Sequence, residues 1–105
     1  MNYQTFKGLY AEAHTYTGVD EYVLHHDWAD WMDDYPENGI GILLQRIYQI
    51  AHLPLLKTRN MSQAEFSRLF DIPVRTVQDW DAGRRNPPEY VKQLICYVLL
   101  LNSEN

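Results

Sequence analysis

Residues 61–88, MSQAEFSRLFDIPVRTVQDWDAGRRNPP, decide how this chain is read. Ser62 stands three residues before Glu65, the spacing at which each side chain satisfies a backbone donor at a helix start. Behind that cap, Ala64, Phe66, Leu69 and Phe70 supply an apolar face. Asp71, Ile72 and Pro73 interrupt the pattern, and proline's fixed φ and missing N–H suit the opening of a second helix. There Val77 and Trp80 point inward, Trp80 as a core side chain. Gly83 closes the helix, because glycine readily takes the left-handed backbone that ends one. Residues 84–88 form a rigid, proline-bearing turn. Two short helices, 62–70 and 74–81, joined by three residues have the proportions of a helix-turn-helix unit.

With Val77 and Trp80 turned inward, the outward residues of the second helix are Val74, Arg75, Thr76, Gln78 and Asp79. A helix of this kind fits the major groove of a duplex, where each base pair shows its own pattern of donors and acceptors. Arg75 suits guanine and Gln78 suits adenine, each through two hydrogen bonds, and Val74 or the Thr76 methyl suits the thymine methyl group. Asp79 has two readings: it accepts from cytosine, or it caps and spaces the helix. Gln63, beside the free N–H groups of the first helix, is placed to reach a phosphate. The expected partner is double-stranded DNA.

The same stretch follows the pattern SQ..F...F.IP.RT.Q.W..G.R.PP.Y and resembles the Cro/C1-type (XRE) helix-turn-helix family, in its small bacterial and phage-associated members. The resemblance covers residues 40–101. It implies an all-α fold in which a phage-repressor-like five-helix domain binds DNA. It puts Gln63, Val74, Arg75, Gln78 and Asp79 at DNA-facing positions, and Arg84 and Arg85, with Asn86 beside them, in a phosphate-contacting turn. The link from Pro54 to Met61 is longer than usual for the family, and residues 1–38 have no counterpart in it.

Outward from this centre, the chain continues as helices. Residues 88–101 form a last helix on which Tyr90, Leu94, Ile95, Val98 and Leu101 line one face, while Tyr97, Leu99 and Leu100 add apolar surface. Apolar surface beyond what a core requires marks an interface, here a homodimer, with Tyr97 and Leu101 among its residues. Upstream, Ile40, Leu43, Leu44, Ile47, Tyr48 and Ala51 recur at helical spacing, and Pro54 ends that helix. Residues 57–60 read as a basic loop. Phe6, Leu9, Tyr10 and Ala13 predict a helix over residues 3–13. Leu24, Trp28, Trp31 and Tyr35 predict an acidic amphipathic helix over 19–35. The expected organisation is an acidic helical extension, 1–38, followed by a DNA-binding domain, 39–105.

Charge divides the same way. The whole chain is −5, but residues 1–38 hold one basic residue, Lys7, against eight acids, whereas residues 39–92 hold eight basic residues against five acids. Only the second part suits a phosphate backbone. Trp28, Trp31 and Tyr35 in the acidic part pack against the domain or a dimer mate, or anchor a partner protein. An inhibitor or antitoxin-like module acting through residues 1–38 is therefore the rival to a transcriptional regulator.

Other classes find little support. No apolar run approaches a membrane span, and the first residues lack the basic-then-apolar layout of a secretory signal. The single cysteine, Cys96, reads as a small buried hydrophobe, and together these features predict a cytoplasmic protein. Adjacent His25 and His26 point about 100° apart on a helix and read as a solvated pair, so no metal site is expected. No cofactor-binding pattern and no nucleophile–base arrangement is present, so no enzymatic activity is expected.

Overall fold

The computed structural model describes residues 1–55 and 59–103. Among them the chain is all-α, with no strand. No described helix is long and apolar enough to cross a membrane. The chain divides into two compact units, Met1–Leu53 and Pro54–Asn105.

The first unit contains α1 (Tyr3–Ala13), α2 (Val19–Leu24), a 3-10 helix (Asp30–Asp34) and α3 (Glu37–His52). Asn2 caps α1 by accepting from the Thr5 N–H at 2.8 Å. The predicted stripe on α1 is buried, and α3 buries Leu43, Leu44, Ile47 and Ala51. Helix α3 packs against both α1 and α2. Tyr22 of α2 is fully buried, and its hydroxyl donates to the Leu9 carbonyl at 2.8 Å, so the polar end of the ring is satisfied inside the core. The sequence boundary at residue 38 thus differs from the compact units: α3 lies with α1 and α2, and the division falls after Leu53.

The single helix predicted over 19–35 is not formed. It stops at Leu24, and the following residues run into the 3-10 turn. The His26 ring explains the stop: its Nδ1 donates to the Tyr22 carbonyl at 2.6 Å, taking the acceptor that the residue-26 backbone N–H would use in a continued helix. Without a helix there is no common stripe. Leu24 is 79 % and Trp28 65 % exposed, Trp31 and Tyr35 are half-buried, and the buried residue of the turn is Met32.

The second unit contains α4 (Gln63–Phe70), α5 (Val74–Asp81) and α6 (Glu89–Ser103). Ser62 caps α4 by accepting from the Glu65 N–H at 3.1 Å. The Glu65 carboxylate meets the Ser62 hydroxyl at 3.2 Å, and not the Ser62 N–H that a full capping box predicts. Only Phe66 of the predicted α4 face is buried; Ala64 and Leu69 are exposed and Phe70 is half-buried. On α6 the buried residues are Ile95, Cys96, Leu99 and Leu100, whereas Tyr90 and Leu94 are exposed. The interior face of α6 is therefore offset from the predicted one, and Tyr97 and Leu101 are half-buried. Burial pushes the Cys96 thiol up to about 12, in keeping with a buried hydrophobe.

Candidate nucleic-acid interface

Helices α4 and α5 are joined by residues 71–73 and pack on each other. Asp71 takes the left-handed backbone, φ 53°, at the end of α4. The turn is then tied back twice: the Ile72 N–H donates to the Ser67 carbonyl at 3.1 Å, and the Ser67 hydroxyl donates to the Ile72 carbonyl. The Pro73 carbonyl accepts from Thr76 at 2.9 Å and Val77 at 3.2 Å, which starts α5.

The far end of α5 closes on Gly83, at φ +74°. The Gly83 N–H donates to the Trp80 carbonyl at 3.2 Å and the Arg84 N–H to the Asp79 carbonyl at 2.9 Å, the paired bonds of a helix end turned by a left-handed residue. The Arg85 N–H also reaches the Asp79 carbonyl, at 3.3 Å. The turn thereby sets Arg84 and Arg85 directly beyond α5.

A buried ion pair fixes α5 from its inner side. Arg59 is only 6 % exposed, and its guanidinium clasps both oxygens of Asp81, at 2.7 and 2.8 Å. Its Nε donates to the Met61 carbonyl at 3.2 Å, and it lies 5.3 Å from the centre of the Phe66 ring. Gln63 donates to Asp81 at 2.9 Å. The hydrogen bond from Arg59, reinforced by that from Gln63, holds the Asp81 carboxyl below the usual carboxylate range against the opposing effect of burial. This cluster ties the residues before α4, the first turn of α4 and the last turn of α5 together.

Sequence reasoning missed it. Residues 57–60 read as a basic loop, yet Arg59 is buried; Lys57, its companion there, lies outside the described residues. Gln63 was expected at phosphate, and its side-chain amide is engaged by Asp81. No fixed spacing links Arg59 to Asp81, so no local pattern flags the pair.

On the outer side, Val74 is 41 % exposed, the Arg75 side chain is 81 % exposed, Gln78 is exposed and Thr76 is half-buried, with Val77 buried behind them. Asp79 is different: its carboxylate accepts from Arg84 Nε at 2.9 Å and lies 3.7 Å from Arg75 Nε. The Arg84 hydrogen bond chiefly holds this carboxyl below its usual range. Arg84, Arg85 and Asn86 are exposed. Trp80 is half-buried, not enclosed; it walls a cleft of about 410 Å³ together with Leu55, Asn86 and Pro87. Trp28, Trp31 and Tyr35 belong to the first unit, and Tyr97 and Leu101 to the second.

The outer face of α5 and the turn after it therefore hold three exposed arginines, a glutamine and a valine on a short, doubly anchored helix. Such a surface can hydrogen-bond to base edges and neutralise phosphates. Among the described residues no group of three or more histidines, cysteines or carboxylates is arranged to hold a metal ion. Compared with known families, curated proteins and solved structures, the chain finds no match in any of the three.

Proposed function

We propose that this protein is a sequence-specific, double-stranded DNA-binding transcriptional regulator that reads the major groove with α5. The observation that carries the reading is the division of α5. Its inner side is anchored by Val77 and the Arg59–Asp81–Gln63 cluster, and its outer side presents Val74, Arg75 and Gln78 beside Arg84 and Arg85. A helix that is to be laid in a groove must be stiff behind and chemically varied in front. Thr76 completes the base-facing set, and Asn86, with the N-terminal N–H groups of α4 near Gln63, extends the phosphate contacts. The reading includes membership of the Cro/C1-type family, with its phage-repressor-like fold, and action as a cytoplasmic homodimer. The exposed pair Tyr90 and Leu94, one turn apart on α6, supports self-association.

Selection of bound duplexes from a random pool by the purified protein tests the proposal. An enriched, symmetric sequence is the expected result. A pool that stays random through repeated rounds contradicts it.

A second reading has its own observation. Leu24 and Trp28 stand exposed in a stretch of sequence that also carries the exposed acids Asp20, Glu21, Asp27 and Asp30. That combination suits a basic partner protein, with the DNA-binding unit serving autoregulation. Recovery of a stable complex that Trp28→Ala abolishes, with DNA binding intact, would favour this reading.

A further inference from the structure

The outer face of α5 contains one feature that a surface built only to attract DNA lacks, a carboxylate. Asp79 is 14 % exposed at its side chain, between Arg84 at 59 % and Arg75 at 81 %. Both arginines turn the same atom toward it: Arg84 Nε donates to Oδ1 at 2.9 Å, and Arg75 Nε lies 3.7 Å from that same oxygen. The backbone completes the arrangement, since the Asp79 carbonyl accepts from the N–H groups of Arg84 and Arg85.

We propose that Asp79 is a positioning residue for sequence choice, its one carboxylate oxygen holding the phosphate-directed Arg84 and the base-directed Arg75 as a single unit. The inference rests on the DNA-binding reading above and names how that site discriminates. A guanidinium held through Nε keeps the donors of both Nη nitrogens for a ligand, and its planar fork is already oriented. Fixing a long side chain before contact removes part of the entropy cost of binding. The same carboxylate repels any phosphate that approaches between the two arginines. It therefore penalises every docking register except the one in which Arg84 meets the backbone and Arg75 the bases. Repulsion of wrong alignments is how specificity is gained without tighter contacts. Asp79 lowers general affinity for DNA and raises the contrast between sites.

The test uses the full chain and the duplex that it selects, with a scrambled duplex of equal length, titrated at several salt concentrations. Asp79→Asn keeps the shape and removes the charge. It should bind the scrambled duplex several-fold more tightly, with steeper salt dependence, while the ratio of selected to scrambled affinity falls roughly tenfold. A ratio equal to that of the parent overturns the proposal. Thermal melting checks that the variant is folded; should it not be, Arg84→Leu, at an exposed side chain, serves in its place. If the two arginines act together, Arg84→Leu relaxes preference at the same base pair that Arg75→Ala relaxes. A uniform loss of affinity with every base preference kept overturns the coupling. A parent protein that selects no duplex defeats the DNA-binding reading itself; a parent that selects one, with Asp79→Asn unchanged in its ratio, defeats only the role given to Asp79.

Discussion

The two units of this chain end their helices by different means. In the first, histidine rings take carbonyls in the last turns of α1 and α2: His14 donates to the Tyr10 carbonyl at 3.0 Å, His26 to the Tyr22 carbonyl at 2.6 Å and His52 to the Ala13 carbonyl at 2.7 Å. Each histidine follows a tyrosine by four residues and lies against its ring, with centroids 4.8, 4.6 and 4.1 Å apart. In the second unit the backbone does it, through left-handed Asp71 and Gly83. Side-chain ends leave an aromatic surround that binds α1, α2 and α3 into one core. Backbone ends take no side chain as a cap, and beside Gly83 the side chains of Gln78, Arg84 and Arg85 stay exposed.

The largest break in that comparison comes where the second unit relies on a buried side-chain ion pair. Asp81→Ala leaves Arg59 charged and without its carboxylate, and the loss of one partner of a buried ion pair costs about 3–5 kcal/mol. Urea unfolding reads it directly. The pH dependence follows with a definite sign. The Asp81 carboxyl is held below its unfolded value, so its stabilising contribution is full above the ordinary carboxylate range and is lost as pH falls through the depressed folded value. Stability should therefore decline below about pH 4, and Asp81→Asn should remove part of that acid slope. A slope identical in parent and variant would show that other groups carry it.

Next in size, His26→Ala withdraws the ring from the Tyr22 carbonyl and from Glu12, whose Oε2 lies 2.9 Å from Nε2 although not aligned for a hydrogen bond. The expected cost is about 1–3 kcal/mol, with changes in tyrosine resonances confined to the first unit. Changes in the α5 resonances as well would break the division between the units. Gly83→Ala sharpens the other side of the comparison. Nothing lies within 4 Å of the added Cβ, so the penalty is that of the left-handed backbone alone, about 1 kcal/mol. A cost below a few tenths would mean that the turn accommodates a different conformation.

The same contrast explains what was legible in the sequence. Ser62, Pro73 and Gly83 are local backbone chemistry, and they located α4 and α5 within a residue at each end. Val77 was found as a core position because helical spacing reports it. Side-chain helix ends have no such signature: His26 passed as a solvated residue, and the helix it stops was drawn on to residue 35. Tyr22, which holds α1 to α2 through its hydroxyl, lies two residues before Leu24 and so falls off the three- and four-residue spacing that Leu24, Trp28, Trp31 and Tyr35 share. Helix α3 was assigned forward along the chain, since nothing in its own periodicity says which neighbours cover it. The outward set on α5 was read correctly as exposed for Val74, Arg75 and Gln78, but Asp79 was read without its partners, five residues on and four residues back.

The central claim, that α5 and the turn after it dock on duplex DNA, is tested most directly by the salt dependence of binding. The parent protein and the variant Arg84→Ala with Arg85→Ala should be titrated with the same duplex across a range of salt. The logarithm of affinity should fall linearly with the logarithm of salt for the parent. The double variant should bind more weakly at every concentration, with a slope shallower by about 0.9 for each phosphate contact removed. Equal affinity and equal slope in the two proteins would contradict the account.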